Sequence, residues 1–189
     1  AVMMQYFSVP ESQNVPFAAM RSLLEQFFQQ PAQVARIPSI VQACSTNIPL
    51  LAPMLPQVVL DYIAGSGNGL DIEKSVAASA QEMQQAALAL FRQLVQEDST
   101  LVLYMDDIQW ADKASLEVFS SLSRDLKDVP LFLLASVREE EQDEEFFKAN
   151  PQLVLLDVHE LPQDKLPELV ASILGQPDHF SDDFYHKLA

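Results

Sequence analysis

Apolar residues recur along this chain in two spacings, short unbroken runs and stripes of helical period, and their alternation predicts an α/β fold. Leu101 to Met105 (LVLYM) and Pro130 to Val137 (PLFLLASV) read as strands buried in a parallel sheet. Between them, Lys113 to Lys127 places Leu116, Phe119, Leu122 and Leu126 on one helix face, with Asp112 positioned to cap its start. Upstream, Met20, Leu23, Leu24, Phe27 and Phe28 form another stripe, with Pro16 suited to a helix's first turn. Pro31, Pro38, Pro49, Pro53 and Pro56 then break the chain into short helical pieces. Ile72 to Glu97 reads as one long helix with Val76, Met83, Leu90 and Leu94 inward, and Leu166, Leu169, Val170 and Ile173 as a short helix that Gly175 closes. Ser181 is expected to cap a further helix.

Composition narrows the class. A chain of 189 residues, 49% hydrophobic, can bury a sizeable core, and no run approaches the length needed to cross a bilayer. The balance of 11 basic against 27 acidic residues, 11 − 27 = −16, argues against direct nucleic-acid binding by this segment, which would need Lys and Arg clusters. The lone Cys44 excludes an internal disulfide and fits a reducing compartment, so a cytoplasmic location is expected. His159, His179 and His186 have no zinc-site spacing, and the acidic run Glu139 to Glu145 reads as a solvated loop and helix start.

The chemistry gathers where the two apolar runs end. Asp106 and Asp107 follow the first, at the edge where open α/β sheets bind ligands, and such a pair can hold hydrated magnesium and orient a water beside a phosphate. Taken alone, the same pattern also fits a solvated strand-to-helix turn. Arg138 follows the second run, where a cation suits a terminal phosphate; an ion pair with the acids after it is the other reading.

DDIQWADKASLEVFSSLSRDL followed by VPLFLLASVREEE resembles the Walker B and sensor 1 region of the STAND-class signal-transduction ATPases, AAA-like P-loop proteins found in large bacterial transcription regulators, hybrid kinases and class III adenylyl cyclases. The resemblance is specific over Leu101 to Glu141. More loosely, Val2 to Phe28 is similar to the family's second strand and following helix, Leu51 to Pro56 to its proline-punctuated segment, and Leu153 to Gly175 to its last core strand and first lid helix. It implies a P-loop NTPase-like parallel sheet flanked by helices, with residues 1–160 as a partial ATPase core and 161–189 as the start of a lid. It further implies ATP and Mg2+ as cofactors, Asp106 as metal ligand, Asp107 as the residue that polarises the attacking water, and Arg138 as sensor 1. Trp110 and Asp112 match the signature in structural roles. The implied function is a regulatory ATP switch whose partners are other domains of the same polypeptide and copies of itself.

One part of that family's pattern is absent. None of Gly65, Gly67, Gly69 and Gly175 leads into Lys-Ser or Lys-Thr, so the sequence has no Walker A loop, and GSGNG at Gly65 to Gly69 reads as a linker. The family's order puts that loop and its strand ahead of the segment resembling Val2 to Val9, so an internal fragment is expected. In the family's sheet that strand lies between those expected from Pro130 to Val137 and from Leu153 to His159. Their unpaired edges predict instability, aggregation or completion of the sheet by something else. The missing loop equally favours a second hypothesis, a non-catalytic interaction scaffold that keeps the ATPase fold without its chemistry.

Overall fold

The computed structural model describes residues 1–67, 79–95, 99–141 and 144–174, which fall in two compact units, Ala1–Leu153 and Val154–Ala189. In the first unit, strands β1 (Val2–Phe7), β2 (Leu101–Asp106) and β3 (Leu131–Ala135) form a parallel sheet in the order β1-β2-β3. Register pairs Met4 with Leu103 and Leu103 with Leu133. The architecture is α/β, a three-stranded parallel sheet flanked by helices, as a P-loop NTPase-like core requires.

Strand pleating decides which face is covered. Side chains alternate along a strand, so Met4, Leu101, Leu103 and Met105 share one face, and all are buried. Over them lie α1 (Ala18–Phe28), α6 (Ala80–Leu94) and α7 (Lys113–Asp125), whose Met20, Leu23, Phe27, Leu90, Phe91, Phe119 and Leu122 complete the core. On the other face Met3, Phe7, Phe132 and Leu134 are exposed. The β2 run reads in sequence as a buried strand; among the described residues one of its faces is buried and the other, with Val102, Tyr104 and Asp106, is half-buried.

Between β1 and α6, prolines cut the chain into α2 (Pro31–Val34), α3 (Ile37–Ala43), α4 (Ile48–Leu51) and α5 (Gln57–Gly65). Pro sits in the first turn of α2, α3 and α4, where its missing N–H has no helical partner to lose. Arg36 ties this insert to α6, donating from Nη1 to the Leu94 carbonyl at 3.2 Å and from Nη2 to the Gln93 carbonyl at 2.6 Å. Those carbonyls belong to a helix C-terminus, where the partial negative charge favours a cation.

Several expected boundaries shift. The long helix over Ile72 to Glu97 is seen as α6, which begins behind Ser79 in a capping box: Ser79 Oγ accepts from the Glu82 amide at 3.2 Å and the Glu82 carboxylate accepts from the Ser79 amide at 2.8 Å. Val76 lies outside the described residues, Met83 is half-buried, and Leu90 and Leu94 are buried. Pro16 precedes α1 instead of standing in its first turn, because Phe17 takes the cap position with left-handed φ 62°. In the acidic run Glu139–Glu141 form an exposed 3-10 turn and Glu144–Ala149 a helix, α8.

The second unit contains α9 (Leu166–Leu174); the Gly175 and Ser181 caps lie outside the described residues. Leu153 to His159, expected as the last core strand, is a correction: no ladder includes it among the described residues. A β-prone sequence supplies side chains suited to a sheet, but a strand exists only where a neighbour takes up its N–H and C=O groups. Val154, Leu156 and Val158 stand 84%, 79% and 93% exposed.

Candidate functional site

Asp106 is the last residue of β2, and Asp107 turns the chain away from the sheet with φ 51° and ψ 54°. That left-handed conformation is disfavoured for most side chains and tolerated by Asp. Hydrogen bonds on both sides hold it: the Trp110 amide donates to the Asp107 carbonyl at 2.9 Å, and the Ile108 amide to the Ser136 carbonyl at 2.9 Å. The Ser136 amide in turn donates to the Met105 carbonyl at 3.0 Å, so the junction of β2 and β3 continues past both strands.

At this edge the three predicted site residues meet. Arg138 Nε lies 3.6 Å from Asp107 Oδ1, and of the acids that follow it the described Glu139–Glu141 form no ion pair with it. Gln109 Nε2 donates to the same Asp107 oxygen at 2.9 Å. Asp106 is held differently. Its Oδ1 accepts from the Tyr104 hydroxyl at 2.8 Å and also from the Ser136 hydroxyl. Ser136 Oγ accepts from the Asp107 amide at 2.9 Å, which commits the serine's own proton to Asp106. The hydrogen bonds from Ser136 and then Tyr104 hold the Asp106 carboxyl below the usual carboxylate range, and the same carboxylate pushes the Tyr104 phenol up.

Tyr104 and Ser136 are the residues that sequence reasoning missed. The signal for Tyr104 was present, because a residue two before Asp106 in a strand shares its face. For Ser136 the register of β2 against β3 had to be known.

The donor set bears on the metal that the fold implies. Asp106 Oδ1 takes two hydrogen bonds from hydroxyls, Oδ2 accepts from no side chain among the described residues, and the Asp107 amide further favours the charged carboxylate. Among the described residues no group of three or more His, Cys, Asp or Glu forms a closed metal cage. A carboxylate with one oxygen that no side chain occupies fits Mg2+, which keeps its waters and binds through one or two carboxylates together with phosphate oxygens.

Residues 5–134 match the family described as AAA ATPase domain. The chain belongs to that family. AAA ATPase domains generally bind ATP with Mg2+, and the matched span includes β2, Asp106 and Asp107 and ends two residues before Ser136. No curated protein and no solved structure gives a significant match. No helix among the described residues is long and apolar enough to cross a membrane.

Proposed function

We propose that this AAA ATPase domain is of the STAND class and contributes the metal and water side of an ATP-driven switch in a multidomain signalling or transcription-regulating protein. The observation that carries the reading is the meeting of Asp106, Asp107 and Arg138 at the carboxyl edge of neighbouring parallel strands. Mg2+ with ATP, when bound, supplies an electrophilic terminal phosphate with its charge partly neutralised. Asp106 would hold the cation, Asp107 would take the proton of the attacking water, and the Arg138 guanidinium, 58% exposed, would meet the phosphate charge. Arg138 is paired with Asp107 at 3.6 Å, so a phosphate would compete with that carboxylate for the guanidinium. Residues 1–160 act as the partial core and 161–189 as the beginning of the lid, with partners among other domains of the polypeptide or further copies of it.

The sequence contains no GxxxxGK[ST] loop, so the switch needs a phosphate cradle from outside it. That same absence favours the second reading, an interaction scaffold with a degenerate ATPase fold. Mg2+-dependent binding of a labelled ATP analogue distinguishes them, measured on this chain and on a form extended upstream by a strand and phosphate loop. Binding by the extended form supports the switch, and binding by neither supports the scaffold.

A further inference from the structure

We propose that Ser136, assisted by Tyr104, is a positioning residue that occupies one oxygen of Asp106 and thereby aims the other at the cation. The inference rests on the metal role given to Asp106 above. Ser136 links the two carboxylate residues: its hydroxyl oxygen accepts the Asp107 amide at 2.9 Å, and its proton goes to Asp106 Oδ1. The amide can only donate and the ionised carboxylate can only accept, so the hydroxyl proton lies on the Asp106 side of Ser136 Oγ. Tyr104 delivers a second O–H to the same oxygen at 2.8 Å, from two residues back on the same strand face. Both donors are tied to the sheet, Tyr104 within β2 and Ser136 through its amide on the Met105 carbonyl at 3.0 Å. With Oδ1 taken by two donors, rotation of the carboxylate is opposed and Oδ2 is the oxygen that no side chain occupies among the described residues.

This assigns the serine a task distinct from that of Arg138. The guanidinium faces Asp107, whereas the hydroxyl sets Asp106. It also separates the two carboxylates by function: Asp106 is fixed by neutral O–H donors that leave its charge available, and Asp107 is held by a cation and an amide N–H.

The test uses Mn2+ alone, a paramagnetic ion that favours carboxylate and water ligands as Mg2+ does. Residue-resolved line broadening of the Asp107 and Ser136 amide signals is followed as Mn2+ is added to the chain, which separates this site from general binding to an acidic surface. In the unaltered chain these signals should broaden at lower Mn2+ than those of the acidic turn at Glu139–Glu141. Ser136→Ala should require about tenfold more Mn2+, the effect of losing one hydrogen bond to a charged group, and Ser136→Thr should return the midpoint close to its original value. Tyr104→Phe, which leaves the Ser136 bonds in place, should weaken binding less, and it decides the matter should Ser136→Ala fail to fold. If Asp106→Asn abolishes the selective broadening while both Ser136→Ala and Tyr104→Phe leave the midpoint unchanged, the positioning role is overturned and the metal role stands. If Asp106→Asn changes nothing, the metal role itself falls and the inference with it.

Discussion

The backbone amide of Phe17 donates to Asp112 Oδ1 at 2.7 Å, joining residues 95 positions apart in the chain. The same oxygen accepts the Ser115 amide at 2.9 Å, and Oδ2 accepts the Ala19 amide at 3.2 Å. One carboxylate therefore caps α7 from within and α1 from outside. Ser115 extends the joint by accepting the Met20 amide on its hydroxyl at 3.1 Å. Because Asp112 follows the Asp106 turn closely, this joint fixes where β2 ends relative to the helix leaving β1.

Asp112→Ala should therefore cost more than one lost cap. A cap is worth about 1 kcal/mol, and each stranded buried amide adds about 1–3 kcal/mol. The expected loss of unfolding free energy in urea is about 3 kcal/mol, with Asp112→Asn losing less because its amide oxygen still accepts. A loss within about 0.5 kcal/mol, as for ordinary surface substitutions, would show that other groups hold the two helix starts.

The two edges of the sheet differ, and so should their response to substitution. At β1, Gln26 of α1 turns its side-chain amide onto the backbone of Gln5, accepting from its N–H at 2.9 Å and donating to its carbonyl. It takes the place of a neighbouring strand. β3 has no such plug on its outer side among the described residues, and Phe132 and Leu134 stand exposed beside it. Gln26→Ala should lower stability by about 1 kcal/mol and increase light scattering. Phe132→Lys and Leu134→Lys should reduce scattering without lowering the melting temperature, since charged residues discourage edge pairing. Unchanged scattering in the Lys variants would remove this face as the source of self-association.

Acid should loosen the surface ties before the core. Asp128 is held below its ordinary carboxylate range by the Arg92 guanidinium at 2.6 Å, and Glu82 by the Ser79 amide and hydroxyl. A carboxyl whose folded pKa is depressed contributes stability above its unfolded value and loses it as pH falls through the folded value. The ordinary values are 3.8 and 4.5, so the contributions should be complete above about pH 5 and fade as pH falls below that range. Asp128→Asn should reduce the slope of stability against pH in this acid range and leave neutral pH nearly unaffected, as exposed pairs contribute little.

Cys44 gives a probe of the core. Burial pushes its thiol up, and the residue is 1% exposed. The buried thiol should react with a disulfide reagent only at the rate of unfolding, and Cys44→Ser should destabilise by about 1–3 kcal/mol through its buried hydroxyl. Fast labelling of the native chain would contradict the packing of α3 against the core.

What could be read from the sequence was local. Unbroken apolar runs marked β2 and β3, stripes of period 3.6 marked α1 and α7, and Asp112 was legible as the cap of α7 from its place before Lys113. Its second duty was not, because the partner amides at Phe17 and Ala19 are remote in sequence and only the parallel register brings them near. The same limit hid Ser136 and Gln26, whose roles depend on which strand lies beside which. Ser79 was hidden by a different signal: the apolar pattern over Ile72 to Glu97 ran through its position, masking the cap that Glu82 completes. Leu153 to His159 failed in the opposite sense, since β-prone residues there have no neighbouring strand among the described residues.

The measurement that bears most directly on the switch is Mg2+-dependent ATP turnover by the complete polypeptide, comparing the unaltered protein with Asp107→Asn. If Asp107 handles the proton of the attacking water, turnover should fall by about 10²–10⁴-fold with ATP binding retained. Turnover unchanged by Asp107→Asn would contradict the assignment.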